Sequence, residues 1–207
     1  MPVVADFVQR AASTLRQEAP LSWNRGDREM QNNAQFLADG VVPKHAAVLV
    51  GLVPRRGELH LLLTQRHAGL KAHAGQIAFP GGRIDEGETP LQAALREAHE
   101  ETGIESRFIT PLGYLEGYVT GTGFFISPVV AILQEGFSLT PQADEVVDIF
   151  EVPLGFLMDA RNRQTLFRES GGKTWRYYSY PFEGRNIWGA TAGMIKNLGD
   201  MLYGPQS

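Results

Sequence analysis

Two short apolar runs constrain the fold of this chain more than any other feature of its sequence. They cover residues 46–54 and 124–133, and the second contains Pro128. Each is roughly half as long as the ~18 to 20 residues that a helix needs to cross a bilayer. We therefore expect no membrane span and interpret both runs as buried β-strands.

The rest of the chain alternates between strand-like and helix-like patterns. Apolar residues recur at helical spacing over residues 3–18, and the polar stretch between Pro20 and Pro43 is typical of an irregular lead-in. Interleaved strands and helices predict an α/β fold with a mixed sheet covered by helices, in which residues 1–45 precede a domain of residues 46–207. The expected strands are 46–53, 59–65, 108–118, 124–133, 146–152 and 175–180, and the expected helices are 3–18, 90–102, 153–160 and 190–202.

Composition excludes several classes of function. The 207 residues include no cysteine, which excludes disulfides, thiolate metal sites and a cysteine nucleophile. A formal charge of −4, from 19 basic and 23 acidic residues, supplies no broad positive field, so we expect no nucleic-acid partner. The first residues lack the basic-then-apolar order of a secretory signal, and we expect a cytoplasmic protein.

The helix predicted at residues 90–102 has clear signals at both ends. Thr89 is typical of an N-cap, and Gln92 completes a capping box with it. Pro90 suits the first helical position, and Gly103 suits the C-terminal cap. We expect the face that carries Leu91, Ala94, Leu95 and Ala98 to pack against the sheet.

The opposite face of this helix carries three carboxylates close together. Glu97, Glu100 and Glu101 fall within an arc of about 100° in the last two turns. Like charges at this spacing repel, and the C-terminal end of a helix dipole disfavours anions. A hard divalent cation such as Mg²⁺ would relieve both effects. Spacing alone favours an ordinary solvated acidic face over a metal site.

The longer string from Gly82 to Ile104 decides between these interpretations. It resembles the Nudix box, G-x5-E-x7-R-E-U-x-E-E-x-G-U with U aliphatic, and departs from it only in the small Ala98 at the first U. On this resemblance the chain is identified as a member of the Nudix hydrolases, which use Mg²⁺ or Mn²⁺ to hydrolyse a diphosphate linked to another moiety. The resemblance implies a Nudix-type α/β/α sandwich around a mixed β-sheet.

Flanking segments are similar to the coenzyme A diphosphatase branch of that family. The similarity lies in Leu62-Leu63-Thr64-Gln65-Arg66, in His73-Ala74-Gly75-Gln76, in Phe79-Pro80-Gly81-Gly82 and in the tail from Ile187 to Ile195. Lys71 departs from the arginine that the branch often has there, which keeps the charge but loses the planar fork. The resemblance implies cleavage of coenzyme A or its derivatives into adenosine 3′,5′-bisphosphate and 4′-phosphopantetheine.

The resemblance also implies a role for individual residues. Glu97, Glu100 and Glu101 would be metal ligands, joined by the backbone carbonyl of Gly81. Arg96 would orient these carboxylates, and Glu88 would hold the loop to the helix. The general base would be Glu100 or Glu145, and Arg66 and Lys71 would bind substrate phosphates. We expect the aromatic residues of the strands to be core rather than site residues, and these are Phe124, Tyr118, Trp175 and Trp188.

Other functions remain open at this point. One is Nudix hydrolysis of another nucleoside diphosphate derivative, such as ADP-ribose or a dinucleotide. Another is a non-catalytic nucleotide-binding module that regulates a partner. A homodimer is also open, with the N-terminal helix as one surface for it. The stretch 171–174 lacks the first glycine of a phosphate-binding loop and predicts a hairpin turn instead.

Overall fold

The computed structural model describes residues 2–26, 42–69, 75–170 and 173–205. Its helices are α1 (Pro2–Thr14), α2 (Pro90–Thr102), α3 (Leu154–Met158) and α4 (Ala190–Tyr203), with short 3₁₀ turns at Ser106–Phe108 and Ala160–Asn162. Its strands are β1 (Trp23–Gly26), β2 (Lys44–Arg55), β3 (Glu58–Arg66), β4 (Ile77–Ala78), β5 (Gly81–Arg83), β6 (Ile109–Tyr114), β7 (Gly117–Val119), β8 (Phe124–Leu133), β9 (Val146–Pro153), β10 (Gln164–Ser170), β11 (Lys173–Phe182) and β12 (Arg185–Trp188).

The two apolar runs pair with each other at the centre of a mixed sheet. Strands β2 and β8 run parallel, in register from Lys44 opposite Phe124 to Leu52 opposite Ile132. Within the described residues the sheet has nine strands, in the order β1-β7-β8-β2-β3-β4, with β5 paired to β2, β6 to β8 and β9 to β3. Both runs are buried strands, as predicted.

Alternation along the central strands separates two apolar layers. In β2, Leu49 and Val53 pack on one face with Ala98 of α2. The residues between them, such as Val50 and Leu52, pack on the other face with α1, α3 and α4. Because successive side chains of a strand point to opposite faces, one strand supplies both layers. The predicted α/β/α sandwich is confirmed.

The N-terminal helix is shorter than predicted but packs where its apolar stripe indicates. It ends at Thr14 because Arg16 makes an antiparallel bridge with Tyr114, with N–O distances of 3.1 and 2.8 Å. Phe7, Ala11 and Leu15 are buried in the same cluster as residues of α4 and β3. The apolar face of α1 is therefore covered within its own chain, and only its polar face remains for a partner copy.

Five strands of the described residues were not expected from the sequence, and they are β1, β4, β5, β10 and β12. Within the stretch interpreted as an irregular lead-in, β1 pairs in parallel with β7, and its four residues carry no apolar alternation that would have revealed it. Strands β10 and β12 flank the predicted β11 in a separate antiparallel sheet. Pairing of β10 with β11 continues to Ser170 opposite Lys173, which agrees with the predicted hairpin, although residues 171–172 lie outside the described part of the chain.

The helices within the described residues are too short to cross a membrane. Among the described residues, none combines the length and the apolar character needed to cross a bilayer.

Candidate active site and metal centre

Helix α2 begins and ends where the sequence predicts. The Thr89 hydroxyl accepts the Gln92 N–H at 3.3 Å, and the Gln92 side chain accepts the Thr89 N–H at 2.8 Å, which completes the capping box. At the other end, Gly103 adopts φ 77° and its N–H donates to the carbonyl of His99 at 2.8 Å. Ala94 and Ala98 are fully buried against the sheet, which directs Glu97 and Glu101 along the helix edge towards β5.

Glu97 lies directly against the glycine that opens the predicted motif. A Cβ atom placed on Gly82 would come within 2.3 Å of the Glu97 carboxylate, so no larger residue fits there without moving that side chain. Gly81 is equally constrained, because its Cβ would lie 2.4 Å from the carbonyl oxygen of Ala47 on β2. Burial raises the pKa of Glu97, and the hydrogen bond from Arg96 opposes that shift.

Glu101 is the most deeply buried carboxylate of the motif. Its residue is 2% exposed, its Oε1 atom accepts a hydrogen bond from Arg66 at 3.2 Å, and its Oε2 atom accepts the Gly81 N–H at 3.3 Å. Burial raises the pKa of Glu101 to about 7, against the opposing effect of the Arg66 charge. An additional positive charge nearby would stabilise the ionised form of a buried carboxylate of this kind.

Glu145 reaches the same place from a different element. It precedes β9, and its carbonyl oxygen accepts the His67 N–H at 2.7 Å, which ties it to the end of β3. Its carboxylate lies 3.9 Å from Arg66, so the Arg66 guanidinium stands between Glu101 and Glu145. The Arg66 guanidinium thereby links Glu145 to Glu101 of α2, although all three residues are far apart in sequence.

Arg96 ties the loop before α2 to the acidic face. It forms a two-pronged pair with Glu88, at 2.8 and 2.9 Å, and donates to the carbonyl oxygen of Arg83 at 3.0 Å. Its remaining donor contacts Glu97 at 2.9 Å and Glu100 at 3.2 Å. The Arg96 pair lowers the pKa of Glu88 to about 2, and Glu88 in turn raises the pKa of Arg96. The arginine thus fixes the orientation of two glutamates at once.

A cavity of about 560 Å³ collects these groups. Glu97, Glu101 and Glu145 line it together with Arg66 and Gly81, whereas Glu100 is half exposed and lies outside its lining. Its other lining residues come from five parts of the chain and are Ala46, Val48, Gln76, Ile77, Ala78, Phe79, Gly82, Arg83, Thr120, Thr122, Phe124, Ile126, Arg168, Trp188, Gly189, Ala190, Thr191 and Met194.

Comparison with known proteins identifies the family. A model of the NUDIX domain matches residues 43–182, which is more than half of the chain. The chain belongs to the Nudix family. It is similar to the uncharacterized Nudix hydrolase NudL of Citrobacter koseri, with 40% identity over 156 residues that cover 75% of this chain and 81% of that protein. NudL of Yersinia enterocolitica shares 37% identity over 159 residues, covering 76% of this chain and 81% of that protein.

Solved structures that are similar to this chain also include Nudix proteins. The crystal structure of a Nudix hydrolase from M. smegmatis, RenU, is 28% identical, with a TM-score of 0.49, and the match covers 59% of this chain and 84% of that chain. The family match and the NudL relatives make this chain a hydrolase that acts on pyrophosphate bonds. Nudix proteins act on small nucleotide substrates and generally use divalent metal ions.

The residues of this Nudix site suit a hard divalent cation. Glu97 and Glu101 offer carboxylate oxygens at the cavity wall, which are the donors that Mg²⁺ and Mn²⁺ prefer. In the part of the chain that the structure describes, no three acidic or histidine side chains are already gathered around one point. Arg96 and Arg66 hold these carboxylates instead, so a bound cation would share them with two arginines. The predicted ligand set therefore stays a prediction.

Sequence reasoning missed part of the cavity wall. Phe124 and Trp188, expected to be core, both line the cavity, and Trp188 is 37% exposed. Arg83 and Arg168 also line it, although neither belongs to a position that the motif marks as functional. Only the tertiary fold brings β10 and the start of α4 to the Nudix box. Lys71 lies outside the described residues.

Proposed function

We propose that this Nudix hydrolase cleaves the diphosphate of coenzyme A, its thioesters or its oxidised form, with Mg²⁺ or Mn²⁺. The products would be adenosine 3′,5′-bisphosphate and 4′-phosphopantetheine. One observation carries the proposal: the segments that resemble the coenzyme A diphosphatase branch line the same cavity as Glu97 and Glu101 of the Nudix box. These segments contribute Arg66, Gln76, Phe79, Gly81, Trp188, Gly189, Ala190, Thr191 and Met194.

The shared cavity bears on which substrate is bound, and not only on which bond is hydrolysed. The box by itself accounts for hydrolysis of a diphosphate, whatever is attached to it. The walls beyond the box decide which attached groups fit, because specificity comes from the contacts around the reacting centre. Here part of those walls comes from the branch-like segments, which lie on either side of the box in sequence, and this supports a coenzyme A substrate over ADP-ribose or a dinucleotide.

Glu97, Glu101 and Glu100 would hold the cation, with the carbonyl oxygen of Gly81 as a further donor. When bound, the cation would lower the pKa of a water molecule and neutralise charge on the diphosphate. Arg96 contacts both Glu97 and Glu100 and would set the positions from which they meet the cation.

Two carboxylates compete for the role of general base. Glu145 lines the cavity, and Arg66 lies beside it, whereas Glu100 is half exposed and outside the lining. This placement favours Glu145 as the group that accepts a proton from the attacking water. Arg66 has further N–H donors beyond its contacts with Glu101 and Glu145, and these would bind a substrate phosphate. The role of Lys71 in phosphate binding rests on the sequence alone.

Product analysis by mass spectrometry tests the proposal. The purified protein would be given coenzyme A, 3′-dephospho-coenzyme A, ADP-ribose and diadenosine polyphosphates, each with Mg²⁺ or Mn²⁺. We expect adenosine 3′,5′-bisphosphate and 4′-phosphopantetheine from coenzyme A with the wild type and not with Glu97→Gln. Glu105→Gln, an exposed residue paired with Arg107 away from the cavity, is the matched control and should behave as wild type.

Two other outcomes would change the conclusion. Turnover of ADP-ribose or dinucleotides alone would retain the hydrolase and reject coenzyme A as its substrate. Silence on every substrate, with nucleotide binding intact, would favour a regulatory module that binds nucleotides without catalysis.

A further inference from the structure

Of the arginines that line the cavity within the described residues, Arg66 pairs with carboxylates, whereas Arg83 and Arg168 do not. Arg66 is held between Glu101 and Glu145. Arg83 and Arg168 also line the cavity, and among the residues that the structure describes neither forms an ion pair with a carboxylate. Because charge-assisted hydrogen bonds to phosphate need a donor that is not already engaged, these two side chains are better placed to meet an anionic ligand.

The two arginines approach from different sheets. Arg83 ends β5, two residues after Gly81, whose N–H donates to Glu101. At ~3.3 Å per strand residue, the backbone of Arg83 lies about 7 Å from that of Gly81. Its guanidinium stands 5.9 Å from the centre of the Phe124 ring. Arg168 lies on β10, opposite Trp175 of β11, and belongs to the separate three-stranded sheet. Arg83 therefore adjoins the acidic end of the cavity, and Arg168 enters from a second structural layer.

A substrate with phosphates at two separate places matches this arrangement. The diphosphate must lie at the glutamates, where the reaction takes place. A phosphate monoester elsewhere on the same molecule needs its own cation, since the glutamates would repel it. Coenzyme A carries such a group, the 3′-phosphate of its ribose, and 3′-dephospho-coenzyme A differs from it only by lacking that group.

We propose that Arg168 is a specificity-determining residue that binds the 3′-phosphate of the substrate. The inference rests on the proposed coenzyme A activity and adds the residue that selects for it. Arg168 is exposed and makes no hydrogen bond that its replacement would break in the described structure, so its substitution leaves Glu97, Glu101, Glu145 and their arginine partners in place.

Steady-state kinetics of Arg168→Gln on coenzyme A and on 3′-dephospho-coenzyme A test this role. We expect the KM for coenzyme A to rise about tenfold, the change that losing one hydrogen bond to a charged group produces. The KM for 3′-dephospho-coenzyme A should stay within about twofold, and kcat should change little for either substrate. Arg168→Lys, which keeps the charge, should recover part of the loss.

The matched control is Arg176→Gln. Arg176 lies on β11 of the same hairpin but outside the lining of the large cavity, so removing its charge should leave both KM values unchanged. Equal effects of Arg168→Gln on the two substrates, or no effect on either, would overturn the assignment.

Failure of the proposed function is separable from failure of this inference. If the wild type does not hydrolyse coenzyme A, the coenzyme A activity is rejected whatever Arg168 does. Calorimetric binding of adenosine 3′,5′-bisphosphate and of AMP then decides the role of Arg168. Weaker binding of the bisphosphate alone in Arg168→Gln supports it, and unchanged binding of both nucleotides contradicts it.

Discussion

At the scale of single residues, Gly82 and Glu97 form a matched pair. The carboxylate of Glu97 occupies the space that a Cβ atom on residue 82 would take, at 2.3 Å. Gly82→Ala should displace the carboxylate and reduce turnover by at least tenfold, because a misplacement of about 1 Å in a catalytic group costs up to ~100-fold. Steady-state kinetics would measure this loss. Gly155→Ala, whose Cβ would meet nothing within 4 Å, should retain wild-type turnover, and loss of activity in both variants would argue against a specific clash.

The charges of Glu97 and Glu101 can be tested without changing their size. Glu97→Gln and Glu101→Gln should each lower kcat by orders of magnitude, since each removes a charge that the proposed cation needs. Glu97→Gln should keep the fold, because glutamine can still accept the hydrogen bond from Arg96. Glu101→Gln keeps an acceptor for Arg66 but loses the one for the Gly81 N–H, so we expect it to fold with reduced stability. Turnover and circular dichroism on the same samples would check both statements. Full activity in either variant would remove that glutamate from the proposed ligand set.

The proximity of the proposed site residues could be predicted from the sequence only where one continuous motif contains them. Glu97, Glu101 and Arg96 belong to a continuous string, so their proximity follows from helical spacing. Arg83 and Arg168 carried no such signal, because their approach to the cavity depends on how β5 and β10 are placed in the fold. Trp188 was expected in the core since aromatic strand residues are usually buried, yet the short edge strand β12 leaves it 37% exposed at the cavity.

At the scale of elements, the residue at which α2 begins is determined by the local sequence. The reciprocal hydrogen bonds between Thr89 and Gln92 satisfy backbone N–H groups that a helix start leaves unpaired. Thr89→Ala should lower the free energy of unfolding by about 1 kcal/mol, and Thr89→Ser should lower it by much less because it keeps the capping hydroxyl. Urea denaturation would compare the two variants. Equal destabilisation by both would show that the hydroxyl does not act as the cap.

Elements were predictable when their signals were local. The bounds of α2 and β8 match the sequence expectation, since capping residues and a continuous apolar run mark them. By contrast, β1, β4 and β5 have two to four residues each and form because a neighbouring strand offers backbone partners. The prediction that one strand covers residues 108–118 was wrong for a similar reason, because the chain breaks between β6 and β7 as both pair with β8.

At the scale of the whole molecule, the N-terminal helix is part of the core. Phe7, Ala11 and Leu15 of this region are buried beside residues of α4 and β3, whereas none of the described residues that line the large cavity belongs to α1. The sequence pattern revealed the apolar stripe but not what covers it, because amphipathicity alone does not name a partner. The stripe therefore contributes to stability rather than to the proposed chemistry.

Replacing Phe7 tests whether α1 stabilises the fold without taking part in the proposed chemistry. Its residue is 1% exposed, and replacing a buried phenylalanine with alanine costs about 3–5 kcal/mol through lost apolar burial and the cavity left behind. Phe7→Ala should lower the free energy of unfolding by that amount, measured by urea denaturation, while the fraction that remains folded retains the wild-type KM. Leu21→Ala, at a residue that is 96% exposed, should change stability by less than about 0.5 kcal/mol. If Phe7→Ala leaves stability unchanged, α1 docks too weakly to count as core. If it raises KM without unfolding the protein, α1 influences the site through the strands that it contacts.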